Sequence, residues 1–175
     1  MTQARAITLN ALSLYAVAAV LAAAYAAQFI LHELPCPLCL LQRILFAALA
    51  VGPILNIRFG PRPSHYAISL LAAVAGAVAS TRQVLLHIMP GDAGYGSALL
   101  GFIAAIVLIA AVLLFDRQFE EGKAILPATG GAFAQTAVWL VIALTAANVV
   151  TTLLECGFGA CADDPVVYEL LKRGN

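Results

Sequence analysis

The sequence predicts an all-α integral membrane protein, built as an up-and-down bundle of five transmembrane helices. Hydrophobic residues make up 63% of the 175 residues and charged residues 10%, whereas a soluble domain is about 45–50% apolar and about 25% charged. The apolar residues fall into five runs, and a membrane span takes about 20 helical residues. We therefore predict one transmembrane domain over residues 1–175, with spans at about Ala6–Ile30, Leu38–Ile57, Tyr66–Met89, Ser97–Phe115 and Phe133–Leu154.

Charge and composition exclude some partners and favour others. The formal net charge is zero and no block of basic residues occurs in the sequence, so nothing indicates a nucleic-acid partner. We expect the chain to contact membrane lipid instead. Four cysteines suit an oxidising compartment, because disulfides persist in the periplasm or the secretory lumen and are rare in the cytosol.

The basic residues near the span ends predict the orientation of the chain in the membrane. The loops at residues 32–38 and 90–96 carry no Lys or Arg, whereas the opposite ends carry five: Arg5, Arg58, Arg62, Arg117 and Lys123. Cytoplasmic ends are the ones enriched in basic residues. The N-terminus is therefore predicted to be cytoplasmic and the C-terminus to be outside, although the tail carries Lys172 and Arg173.

Two local patterns bear on this topology. Ala24-Tyr25-Ala26 has the small-x-small pattern of a signal-peptide cleavage site, but the apolar run before it is too long for an ordinary signal peptide. After the last span, Asp164 suits an N-cap and Pro165 suits a first helical residue. We therefore predict a short helix at about residues 165–173, lying on the outer surface.

Cys36 and Cys39 are spaced for a small disulfide at the beginning of the second span. Cys39 would lie in the first helical turn, where unpaired backbone N–H groups and the helix dipole favour a reactive thiolate. Arg43 follows one turn deeper, and a buried arginine needs a thiolate or a ligand oxygen to offset its cost in the membrane. The pattern favours redox chemistry. The alternatives are a structural disulfide or two unreacted thiols, with Arg43 extended to the membrane interface.

Cys156 and Cys161 form the second pair, after the last span. Four spans separate the two pairs, so both are expected on the outer face, where dithiols exchange disulfides by thiolate attack. The alternatives are an ordinary disulfide that holds the tail in place, or four thiolates around a zinc ion. We predict no metal.

Several polar residues of the third span lie at a similar depth to Arg43. Arg82 and His87 fall in its outer third, where either could face an electron acceptor or carry protons. His87 could equally contact lipid headgroups. Gln42 and Gln83 are interpreted as bridges between helices.

The motif from Cys36 to Cys39, with the following Gln42-Arg43, resembles that of the disulfide bond formation protein B (DsbB) family. The similarity extends to Arg82–His87, to Gly94–Gly96 and to Glu155–Cys161. It implies a bacterial inner-membrane enzyme with both cysteine pairs on the periplasmic face. The outer pair would oxidise a DsbA-like partner of thioredoxin fold. The resemblance also implies a quinone cofactor, ubiquinone or menaquinone, bound beside Cys39 and Arg43.

The sequence departs from better-known members of that family in two places. Their second cysteine pair lies between spans three and four, where this chain has no cysteine. Related forms are polar and aromatic early in span four, whereas the run from Phe102 to Ile106 is mostly aliphatic. The geometry of partner docking and the second wall of the quinone pocket are therefore not carried over.

The functional prediction is a membrane protein-dithiol:quinone oxidoreductase with Cys36, Cys39, Cys156 and Cys161 as catalytic residues. Cys36 would exchange with the second pair and Cys39 would donate electrons to the quinone. Arg43 would stabilise the thiolate and the reduced quinone oxygen, with Arg82 and His87 as further cofactor-binding residues. The alternatives are a quinone reductase resembling vitamin K epoxide reductase and a non-catalytic membrane subunit with structural disulfides.

Overall fold

The computed structural model describes residues 3–31, 34–88, 96–115, 131–157 and Tyr168. These residues are helical nearly throughout and form six helices: α1 Gln3–Ile30, α2 Pro37–Leu49, α3 Val51–Phe59, α4 Pro63–Ile88, α5 Gly96–Phe115 and α6 Gly131–Cys156. Five stretches of them are long and apolar enough to cross a membrane, with α2 and α3 together forming one. The predicted all-α bundle with five membrane-length helical stretches is confirmed. The predicted tail helix at residues 165–173 lies outside the described residues, except for Tyr168.

The second span is not the single continuous helix that we predicted over Leu38–Ile57. It is divided at Ala50 between α2 and α3, because Pro53 has no N–H to donate to the carbonyl of Leu49. Ser69 of α4 supplies the missing donor, with its Oγ 2.7 Å from that carbonyl oxygen. Gly52 allows this close approach, since a Cβ there would collide with Ser69 Oγ and with the carbonyl oxygen of His65.

Helices α1 and α6 pack side by side and run in the same direction. The Tyr15 hydroxyl lies 3.2 Å from the carbonyl oxygen of Phe133 and 2.6 Å from Thr136 Oγ1. Ten residues further along α1, the Tyr25 hydroxyl donates to the carbonyl of Leu144 at 3.2 Å. Because both contact positions advance together, α1 and α6 end at the same end of the bundle.

Helices α2 and α4 run in opposite directions. Gln42, near the start of α2, contacts Gln83, near the end of α4, whereas Leu49 contacts Ser69 in the first half of α4. The start of α2 therefore lies beside the end of α4. We call this the cysteine end of the bundle, defined by the helix termini Ile30, Pro37, Ile88 and Cys156.

The rest of the bundle is held by an apolar core and by a polar cluster away from the cysteine end. Phe102 of α5 is fully buried and stacks on Phe46 of α2 with ring centroids 4.0 Å apart. Asn56 Nδ2 donates to Asn10 Oδ1 at 3.0 Å, and Asn56 Oδ1 lies 2.9 Å from His65 Nδ1. The contacts of Asn56 join α1, α3 and α4. The polar residues of the cysteine end form a second, separate region.

Candidate functional site

The candidate site begins with a disulfide between Cys36 and Cys39, whose Cα atoms are 5.0 Å apart. Cys36 is the N-cap of α2 in extended conformation, and its Sγ accepts the backbone N–H of Cys39 at 3.2 Å. Pro37 is the first helical residue, where no intrahelical N–H bond is needed. The predicted position of Cys39 in the first turn is confirmed, so its sulfur lies where the helix dipole favours negative charge.

Two glutamine side chains connect this disulfide to α4. Gln83 Nε2 lies 3.2 Å from Cys39 Sγ and 3.6 Å from Cys36 Sγ. Gln42 Nε2 donates to Gln83 Oε1 at 2.6 Å, which directs the Gln83 amide nitrogen toward the sulfurs. Both glutamines are buried. They bridge α2 and α4 as interpreted from the sequence, but Gln83 also contacts both sulfur atoms, which the sequence did not indicate.

Arg43 is buried and contacts α1, whereas its neighbour Gln42 contacts α4. Its Nη1 donates to Gln28 Oε1 at 2.6 Å and its Nη2 donates to the carbonyl of Ala24 at 2.9 Å. The guanidinium carbon lies 5.3 Å from the centroid of the Tyr25 ring, a distance at which the ring face attracts a cation. The two neutral acceptors and this ring hold the cation one turn below Cys39, next to the last turns of α1.

Glu155 brings a carboxyl group from α6 into the same region. It is 3% exposed, and neither oxygen has a hydrogen-bond partner among the described residues. It interacts electrostatically with Arg43. This interaction matters because an ionised carboxylate buried without a partner is costly. Asn148 and Thr151 lie on the same buried face of α6, so this helix presents a polar strip toward α1.

The segment after Cys156 returns to this cluster at one described point. The Tyr168 hydroxyl accepts a hydrogen bond from Gln28 Nε2 at 3.0 Å. Gln28 therefore contacts Arg43 through its oxygen and Tyr168 through its nitrogen. Cys156 is disulfide-bonded and partly buried at the end of α6. Cys161 lies outside the described residues.

Among the described residues, the two cofactor-binding residues predicted in the third span have fewer contacts with the disulfide region than Gln83 has. Arg82 is exposed, and no hydrogen bond within the described part of the chain joins it to the disulfide. His87 is partly buried and its Nδ1 lies 2.8 Å from the carbonyl oxygen of Gln83. His87 thus neighbours the backbone of the residue that contacts the sulfurs. The cofactor-binding roles of both residues stay predictions.

Sequence reasoning missed Gln28 and Glu155. Gln28 is 2% exposed and Glu155 is 3% exposed, although each lies within a few residues of the end of its helix. A polar or ionisable residue inside a membrane helix is by itself a sign of function. That signal was applied to Arg43 and could have been extended to both residues.

The site has hydrogen-bond donors that suit a quinone, whose polar groups are carbonyl oxygens. Arg43 uses two of the five N–H donors of a guanidinium group in contacts among the described residues. The remaining donors lie in a buried position one helical turn from Cys39. Arg43 could thus donate to a ligand oxygen, and Gln28 and Ala24 fix its position.

One family model and several curated proteins are similar to this chain. The family model described as "Disulfide bond formation protein DsbB" matches residues 6–164. A protein named disulfide bond formation protein B from Xanthomonas axonopodis pv. citri is 41% identical over 86 residues, covering 46% of this chain and 50% of that protein. One from Xanthomonas oryzae pv. oryzae is 40% identical over the same shares. The chain thus spans about half the length of these relatives, and no solved structure matches it significantly.

Proposed function

Because the chain belongs to the DsbB family of membrane disulfide bond formation proteins, we propose that it is a quinone-dependent thiol oxidase. It would reoxidise a DsbA-like, thioredoxin-fold dithiol partner and pass the electrons to a quinone. The proposed location is the bacterial inner membrane, with both cysteine pairs on the periplasmic face. A relay of this composition keeps the periplasm oxidising.

The observation that carries this proposal is the position of the Cys36–Cys39 disulfide. It lies at the start of a membrane-length helix with the buried Arg43 one turn deeper. A disulfide in that place is open to thiolates at the membrane surface and close to the lipid phase. The end of α6, with Cys156, lies at the same end of the bundle, which supports exchange between the two pairs.

The proposed sequence of exchange uses both pairs. The dithiol of the partner attacks the disulfide that contains Cys156, proposed to be the Cys156–Cys161 pair, and leaves oxidised. The reduced pair then attacks Cys36, and Cys39 becomes the thiolate at the start of α2. A quinone bound at the site supplies a two-electron acceptor. Arg43 would hold the acceptor oxygen through the N–H donors that it does not use in contacts among the described residues, and would stabilise negative charge there.

The test uses the purified full-length protein, a reduced thioredoxin-fold dithiol protein and a short-chain ubiquinone. We expect quinone absorbance to fall in step with disulfide formation in the dithiol protein, at one quinone per disulfide. A Cys39→Ser variant is the matched control, because it removes the donor to the quinone and leaves Cys156 and Cys161 in place. It should show no quinone reduction.

The same assay separates the two alternatives. A reductase resembling vitamin K epoxide reductase would also oxidise the dithiol as it reduced the quinone, so a quinone epoxide is added to the assay, and reduction of the epoxide identifies this alternative. A non-catalytic subunit would reduce no quinone, and its cysteines would resist dithiothreitol. Either result would contradict the proposal.

A further inference from the structure

We propose that Gln83 is a catalytic residue for disulfide exchange, because its amide N–H groups stabilise the Cys39 thiolate that forms when the Cys36–Cys39 disulfide opens. This inference deepens the proposed function and rests on it for the physiological attacking thiol. The inference concerns the stability of the reduced Cys36 and Cys39 pair, which depends on this protein alone. This stability can be measured without any quinone or protein partner.

The contacts of Gln83 are those required of a donor to sulfur. Its Nε2 is 3.2 Å from Cys39 Sγ and 3.6 Å from Cys36 Sγ, so one amide nitrogen reaches both atoms of the reacting bond. The nearer contact is to Cys39, the cysteine in the first helical turn. Sulfur is a weak acceptor as a disulfide and carries a full negative charge as a thiolate, so this contact strengthens when the bond opens.

The orientation of the Gln83 amide is fixed by its neighbour. Gln42 Nε2 donates to Gln83 Oε1 at 2.6 Å, and this bond assigns the oxygen of Gln83 to Gln42 and the nitrogen to the sulfurs. Gln83 is 3% exposed and Gln42 is 8% exposed, so water competes little for either amide. The donor is thus already in place before any charge develops, as in other preorganised sites that stabilise developing anions.

The exchange step can be written with its electrons. An incoming thiolate forms a new S–S bond to Cys36 Sγ, and the Cys36–Cys39 bond breaks. The electron pair of the broken bond moves to Cys39 Sγ, which becomes a thiolate and needs no proton. The Gln83 N–H groups and the first turn of α2 then face this charge together. A protein that stabilises its reduced form in this way becomes a stronger oxidant.

The contact could instead serve only to pack α4 against α2, and two substitutions separate these roles. Gln83→Glu keeps the size and shape of the side chain but replaces the N–H donors with a carboxyl oxygen. Gln83→Leu removes the polar group altogether. If Gln83 acts by packing, the glutamate variant should behave like the original protein. If it acts by donation, both variants should lose the effect.

The experiment equilibrates the quinone-free protein with defined ratios of reduced and oxidised dithiothreitol. The redox state of Cys36–Cys39 is read by thiol alkylation in a Cys156→Ala/Cys161→Ala background. We expect both Gln83 variants to lower the equilibrium constant for reduction about tenfold or more, since hydrogen bonds to charged groups are among the strongest. Tenfold corresponds to about 30 mV for a two-electron couple.

The matched control is Thr81→Val, two residues earlier on α4. Thr81 is exposed, and within the described part of the chain its Oγ1 bonds only to the carbonyl of Ala77, at 2.8 Å. The equilibrium constant of the Cys36–Cys39 disulfide should therefore not change in this variant. A second readout is the rate at which iodoacetamide alkylates Cys39 at neutral pH after Cys36→Ala substitution, which should fall in both Gln83 variants.

An unchanged equilibrium constant in Gln83→Glu, or an equal fall in Thr81→Val, would overturn the inference. The outcome is distinguishable from failure of the proposed function. If the chain reduces no quinone but Gln83→Glu still shifts the Cys36–Cys39 equilibrium, Gln83 retains its role and the thiol oxidase proposal falls.

Discussion

Arg43 and Gln28 share a hydrogen bond from Nη1 to Oε1 at 2.6 Å, and it joins the start of α2 to the last turns of α1. The same Gln28 side chain donates to the Tyr168 hydroxyl at 3.0 Å. One buried amide therefore connects the cation below Cys39 with a residue of the tail that follows the second cysteine pair. This connection makes the stability of the site sensitive to a residue with no chemistry of its own.

Gln28→Leu should lower the free energy of unfolding by about 1–3 kcal/mol, because it leaves a buried guanidinium donor without its acceptor. Denaturation in mixed detergent micelles measures this change. Thr8→Val is the control on the same helix, because Thr8 is exposed and its one side-chain hydrogen bond among the described residues is to the carbonyl of Ala4. Equal stability of the two variants would contradict the role given to Gln28.

Arg43→Ala should weaken coupling to the quinone and leave exchange between the two cysteine pairs largely intact. Loss of a charge-assisted hydrogen bond is worth roughly 1.5–3 kcal/mol, which corresponds to about ten- to a hundredfold in kcat/KM for the quinone. The measurement is turnover at limiting quinone, set beside the rate of internal exchange without quinone. Unchanged turnover under limiting quinone would count against this role.

Arg43 and Glu155 should be energetically coupled, because both are buried and they interact electrostatically across the α2–α6 contact. A double-mutant cycle with Arg43→Met and Glu155→Met should give a coupling free energy of about 0.5–3 kcal/mol in unfolding. Asn148→Leu replaces Glu155→Met in the control cycle, because Asn148 is uncharged and lies on the same buried face of α6. Additive effects in both cycles would mean that Glu155 does not act on Arg43.

Ser69→Ala should lower the free energy of unfolding, measured by denaturation in mixed detergent micelles, since it removes the donor to the buried carbonyl of Leu49. An unsatisfied buried acceptor costs about 1–3 kcal/mol. Adding Pro53→Ala should recover part of this loss, because alanine restores a backbone N–H for the same carbonyl.

Ser13→Ala is the control for that experiment. Ser13 Oγ donates to the carbonyl of Asn10 at 2.7 Å, an acceptor inside α1 that also has a helical N–H. We expect little change in the free energy of unfolding. If Ser13→Ala costs as much as Ser69→Ala, the special role of the Leu49 carbonyl is wrong.

Length and apolar composition were enough to predict five spans and to place the beginning of the second span at Leu38, one residue after the observed start of α2. The break at Ala50 was not predicted, although Pro53 was present in the sequence as the reason for it. A proline ends or bends a helix only where neighbouring groups can satisfy the freed carbonyl, and the sequence does not show that Ser69 lies opposite Leu49.

The partners of the polar residues were the least predictable part of the site. A span that is apolar on all sides gives no hydrophobic period from which to read the rotation of its helix. Whether Arg43 faces α1 or α4 depends on that rotation. The i+4 spacing predicted the depth of Arg43 below Cys39, but it did not show that Gln83 contacts the sulfurs while Arg43 contacts Gln28.

Because α1 and α6 pack in parallel, the number of residues in α6 determines the position and the direction of Cys156. Each added residue moves Cys156 about 1.5 Å along the axis and turns it by about 100°. The Tyr15 and Tyr25 contacts fix the first half of α6 against α1. An insertion between Leu144 and Cys156 would therefore shift and rotate Cys156 by the full amount. One extra residue would turn Cys156 away from its present direction. About seven would restore that direction about two turns further along the axis, which is too far for the proposed exchange with Cys36.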